Sequence, residues 1–257
     1  MRRRYRWVAF ACLALVSVTN ARSEEGPAHR ALLKGKLLMK SGMTKWDGDL
    51  MRQARDLFEL AARDSLYAQW GHYYLGYCHF RLGNYALQAK QHDEARRAFA
   101  RAAVHLQQAL ELRDEFAEAQ ALLAVCMGQQ AGLDGWRAVS LAQQCKSMMT
   151  QAVKLAPDNP RVRFLQALAS YYTPDFLGGS RKQARALLEK ASQLFATFQQ
   201  HDILAPQWGH AECFAWLCEF YSVDDENAPA LAACQRALTI NPAYRWVKES
   251  LLPDLAK

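Results

Sequence analysis

Between Gly209 and Tyr244, apolar and small residues recur every third or fourth position in two separate runs, divided by the polar stretch Ser222 to Asn227. Phe214, Leu217, Cys218 and Tyr221 belong to the first run, and Ala230, Cys234, Ala237, Leu238 and Ile240 to the second, which stops at Pro242. That spacing gathers apolar side chains on one helical face, twice over, so the stretch predicts two amphipathic helices folded back on each other. Composition agrees: 51% hydrophobic and 22% charged residues can bury a core, while the 13 glycines and 8 prolines fall mostly between apolar runs, which favours an all-helical chain.

The same residues carry a resemblance. Phe214-x2-Leu217-Cys218-x2-Tyr221, followed by Ala230-x3-Cys234-x2-Ala237 and Pro242, resembles the tetratricopeptide repeat, a helix-turn-helix unit of about 34 residues. Cys218 stands where that repeat has Gly, and Cys234 where it has Phe. The resemblance implies an all-α, α-α superhelix of about five helical hairpins over residues 27–257, closed by a short C-terminal capping helix.

In chain order, a first hairpin is expected from about Pro27 to Ser65, with Gly42 and Gly48 bracketing its turn and Ala54, Phe58 and Ala61 in its second helix. The second opens at Ala68, turns at Gly83-Asn84-Tyr85, and has a second helix lengthened along the stripe Ala95, Phe99, Ala102, Leu106 and Ala109. A third covers Phe116 to Pro157 with a glycine-bearing turn from Gly128 to Gly135. Asn159-Pro160 marks a helix restart, since Asn caps and Pro suits a first turn. The fourth unit breaks at Thr173-Pro174, residues 199–206 link it to the fifth, and Asn241-Pro242 starts the closing helix. An end repeat needs such a cover for its apolar face.

The beginning of the chain reads as an export signal, residues 1–21. Arg2, Arg3, Arg4 and Arg6 precede an apolar segment from Val8 to Val18, and Thr19-Asn20-Ala21 ends in a small residue. At 11 residues that segment is shorter than the roughly 20 needed to span a bilayer. Cleavage would remove four positive charges from the formal +7, leaving +3, and would send the protein to the periplasm or outside the cell without a membrane span. No Lys/Arg run interleaved with aromatics remains, so nucleic acid is not an expected partner. Six cysteines follow the signal, none in Cys-x2-Cys spacing, which reads as buried small hydrophobes. Cys218 and Cys234, on paired helices of one hairpin, allow a disulfide, but their facing geometry is not readable from sequence.

In tetratricopeptide proteins the first helices of the hairpins line a concave binding surface. The resemblance implies Trp70, Tyr73, Tyr77 and Phe80 there from the second unit, and Phe164, Leu168, Tyr171 and Tyr172 from the fourth; inter-repeat core is the competing role for the same stripes. Gln69-Trp70-Gly71-His72 recurs as Gln207-Trp208-Gly209-His210, each opening a first helix. His72, His79 and His210 lack the i, i+4 spacing of a helical metal site, so neither metal nor cofactor is expected. No nucleophile elbow, zinc-protease motif or phosphate loop is present, so the chain is not expected to be an enzyme. The expectation is an exported scaffold that binds a protein or peptide partner in the cell envelope. The alternative is a carrier holding a small apolar ligand in an aromatic groove.

Overall fold

The computed structural model describes residues 26–134 and 138–256; residues 1–21, expected to be an export signal, lie outside them. Among the described residues, ten helices run in antiparallel pairs: α1 (Pro27–Lys45) with α2 (Gly48–Ala62), α3 (Ala68–Gln88) with α4 (His92–Leu112), α5 (Ala117–Asp134) with α6 (Ala138–Leu155), α7 (Pro160–Tyr172) with α8 (Arg181–Thr197), and α9 (His210–Val223) with α10 (Asn227–Ile240). Each second helix also packs on the first helix of the next pair for all but the third and fourth hairpins, where α5 and α7 form the larger contact. A π-helical turn at Val247–Leu251 and a short α11 (Leu252–Leu255) end the chain. No β-strand occurs among the described residues.

Local chemistry explains the boundaries. The Asp47 carboxylate accepts from the amides of Asp49 and Leu50 and starts α2; Asn159 does the same for Arg161 and Val162 ahead of Pro160 in α7. The first reversal, at Trp46-Asp47, lies between Gly42 and Gly48 as expected, but the next two turns differ: Gly83 and Gly128 are helical, and the second reversal lies further on, at Ala89-Lys90-Gln91. The reason is packing. A Cβ on Gly83 would sit 2.6 Å from the Phe99 ring, and one on Gly35 would sit 2.5 Å from Phe58, so these glycines are notches that admit the phenylalanine of the paired helix. Lys90 and Asp225, both left-handed, make the tight reversals themselves.

The last hairpin solves the same problem differently. Cys218 and Cys234 stand where the repeat has Gly and Phe, and they are joined in a disulfide with Cα atoms 5.3 Å apart. The bond replaces the missing aromatic volume with a cross-link worth about 3 kcal/mol in a chain-entropy account.

Two clusters of buried side chains fill the interior, one under the first three hairpins and one under the last two with the C-terminal turn. α7 belongs to both, since Val162 and Leu165 enter the first while Phe164, Ala167 and Leu168 enter the second; Trp208 packs against each. The hairpins therefore form a continuous stack. No helix among the described residues is long and apolar enough to cross a membrane.

Candidate functional site

The two ends of the stack meet. Asn241 donates from its amide to the Thr44 hydroxyl at 2.9 Å, and the Arg245 guanidinium reaches the Lys45 carbonyl at 3.4 Å. The connector between α8 and α9 is fastened to α1 and α3. Lys36 donates to the carbonyls of Ile203 and Ala205, the latter at 2.8 Å, and the Tyr74 hydroxyl donates to Leu204 at 2.6 Å. The Trp208 indole donates to the Tyr73 hydroxyl at 3.0 Å, and its ring stacks on Tyr77 with centroids 4.7 Å apart.

These contacts leave a cavity of about 540 Å³ between α1, the connector and the C-terminal turn. Leu33, Leu37, Met43, Ile203 and Ile240 supply apolar wall, and the Trp208–Tyr77 pair a flat aromatic one. The charged side chains of the lining are Glu212, Lys36 and Lys40, the two lysines from successive turns of α1. Arg81, outside the lining and 4% exposed, forms a two-point ion pair with Glu212 and lies against the rings of Tyr77, Phe80 and Trp208. Burial pushes the Lys36 ammonium down to about 8, opposed by the nearby Asp202, so it still carries charge at neutral pH. Burial pushes the Tyr77 phenol up to about 12 and holds that of Tyr244 well above its ordinary value, so both remain neutral donors. With Glu212 neutralised by Arg81 and Lys36 engaged with the connector carbonyls, Lys40 supplies a positive charge to the lining.

The seven aromatic residues expected to line a groove separate into three groups. Trp70, Tyr73, Phe80 and Phe164 are interior: Trp70 and Tyr73 pack on Phe116 at 5.2 and 4.7 Å, Phe80 on Phe99 at 6.1 Å, and Phe164 meets Trp208 edge-on at 6.4 Å. The extended α4 and the connector cover the faces that a shorter, open hairpin stack would leave free. Of the seven, only Tyr77 reaches the cavity. Tyr171 and Tyr172 are 37% and 51% exposed and form a band with Trp216, at 5.6 and 6.0 Å, that continues to Trp246. Phe176, 83% exposed, lies on the neighbouring 3₁₀ turn Asp175–Leu177.

The lysines and methionines of α1, Glu212, and the connector's role as a cover are not marked by any motif. The one signal pointing there was the echo at Trp208. Its two copies do different work: Gly71 lets α2 approach α3, whereas Gly209 takes a left-handed backbone, φ 102°, that starts α9. Among the described residues no three His, Cys, Asp or Glu side chains are placed to hold a metal.

No protein-family model and no curated protein matches this sequence. Solved structures do. A thermophilic TPR protein from Thermus thermophilus superposes with a TM-score of 0.59 at 18% identity, over 87% of this chain and 100% of that one. The HusA haemophore from Porphyromonas gingivalis gives 0.62 at 21% identity, over 77% of this chain and 94% of that one. At such identities the likeness concerns architecture. The chain has the tetratricopeptide-like fold, an all-α superhelix of stacked helical hairpins.

Proposed function

We propose that this is an exported carrier whose superhelix closes on itself to hold a small, flat, largely apolar molecule bearing an acidic group. The cavity between α1 and the connector carries this reading. Its volume falls within the range of small-molecule sites, and apolar walls with a few convergent polar groups are their usual composition. The Trp208–Tyr77 pair suits a planar ring system, and Lys40 suits a carboxylate. A haem-type tetrapyrrole has this chemistry, and the haemophore among the structural neighbours makes it the first ligand to try. Support for export comes from the leader-like first 21 residues and from the disulfide, a bond that persists in oxidising compartments.

Titration of haemin into the full chain is expected to quench tryptophan fluorescence to saturation at one ligand per chain. Trp208→Phe removes the largest share of that quenching, and Lys40→Gln weakens binding about tenfold, the loss of one charge-assisted contact. Equal quenching in the Trp208→Phe protein contradicts the placement.

A second reading rests on a different surface. Tyr171 and Tyr172, exposed and backed by the half-buried Trp216, have the aromatic character of a polypeptide-docking face, which favours a scaffold for an envelope protein partner. Tyr171→Ala with Tyr172→Ala would abolish that docking and leave haemin titration unchanged.

A further inference from the structure

On the side of the second hairpin, three histidines far apart in sequence are brought into a row. His72 and His79 lie two turns apart on α3, and His105 comes between them from α4. The His72 and His105 Nδ1 atoms are 3.3 Å apart, and the His105 Nδ1 is 3.1 Å from the Gln108 side-chain oxygen. The His79 ring lies parallel to that of His105, with centroids 5.6 Å apart.

The His105 Nδ1 lies 3.3 Å from the His72 Nδ1 and 3.1 Å from the Gln108 oxygen, distances that ligands of one ion also span. Two nitrogens each about 2.0–2.1 Å from a metal and separated by this distance subtend an angle of roughly 105–110°, the tetrahedral value. Without an ion, only one of the two Nδ1 atoms can carry the proton between them, and His105 must share its single Nδ1 position between a ring nitrogen and an amide oxygen. We infer that His72 Nδ1, His105 Nδ1 and the Gln108 side-chain oxygen form a binding site for a borderline divalent transition ion of the Zn²⁺ and Ni²⁺ class, which imidazole suits.

The surroundings favour this on balance. Burial lowers the pKa of both His72 and His105, so their rings are neutral, the form that binds metal. Glu111 acts on His72 and Glu59 on His105 as negative charges that attract a cation, while Arg101 opposes them at His105. His79, held at about 4 by burial, His105, Arg101 and Arg55, stays neutral beside the pair and adds no repulsion. Both ligating rings are half-buried, so an ion can enter from solvent. With two imidazoles and one amide, the ion keeps an open position for water, the arrangement of an exchangeable site rather than a structural one. The Ala95-to-Ala109 extension of α4 creates it, since His105 lies on those added turns.

Isothermal calorimetry of the full chain, stripped with chelator and titrated with ZnCl₂ at pH 7.5, is expected to show one site per chain. His72→Ala and His105→Ala should each lower the affinity at least tenfold, and Gln108→Ala by less. His92→Ala, an exposed histidine outside the cluster, should leave it unchanged. The native site should also weaken in acid, once protons compete for the ring nitrogens. Circular dichroism melts of the variants report whether folding is retained. Absence of a site in the native chain overturns the inference, as does unchanged Zn²⁺ affinity in a folded variant lacking any of the three ligands.

Discussion

Glu212→Ala is expected to lower the stability of the protein by about 3–5 kcal/mol, because it leaves the Arg81 guanidinium buried without a counter-charge. Arg81 is one of the least accessible charged groups among the described residues, at 4% exposure, and two of its nitrogens are spent on the Glu212 carboxylate. Its Nε has no partner. The aromatic rings of Tyr77, Phe80 and Trp208 around it offer cation–π attraction, on the order of 2 kcal/mol, which only partly offsets a lost carboxylate in a dry site. The ion pair also bridges a long stretch of sequence, joining α3 to α9 and so the first core to the second. Urea unfolding of Glu212→Ala, Arg81→Met and the double variant separates the effects. The double variant should recover much of the loss, since it removes the orphaned charge; equal loss in all three would mean that the pair contributes through packing alone.

Gly71→Ala is expected to be nearly as damaging, at about 3 kcal/mol or more, through overpacking. The added methyl would stand 2.3 Å from the Ala62 nitrogen and 2.6 Å from its Cα, both backbone atoms that no rotamer change can move. The first two hairpins would have to separate. Gly128→Ala is the matched contrast: that glycine is helical with nothing within 4 Å of an added Cβ, so the substitution should raise stability by about 0.5–1 kcal/mol. Thermal melts of the two variants, shifted in opposite directions, would show that glycines in these helices differ by what faces them. Similar shifts would refute the close approach of α2 and α3.

Periodicity made the helices legible, because a 3.6-residue repeat of apolar positions reports the buried face of a helix wherever it packs. It could not say what covers that face. Tyr73 and Phe164 recur at the same spacing as Tyr77, yet the first two are fully buried while Tyr77 borders the cavity. The difference lies in the 199–209 connector, which has no periodicity of its own and is held by single contacts such as Lys36 to Ala205. Glycine misled at Gly83 for a related reason. A glycine that makes room for a side chain and a glycine that makes a turn are alike until the opposing residue, here Phe99, is known. Cys218 and Cys234 were the departure from the repeat that sequence marked most clearly, and the pairing required only that the two helices face each other. His105 was invisible beside His72 because helical spacing rules compare residues on one helix, and these lie on two.

If the meeting of the first and last hairpins encloses a site for a small amphipathic ligand, protein isolated from its own cells should bring that ligand with it. Native mass spectrometry reads this without any prior choice of compound. A fraction of chains is expected to carry one small molecule whose release on collisional activation restores the apoprotein mass. Only the apoprotein mass, or a mass raised by a polypeptide that the Tyr171→Ala, Tyr172→Ala protein no longer retains, would contradict a carrier.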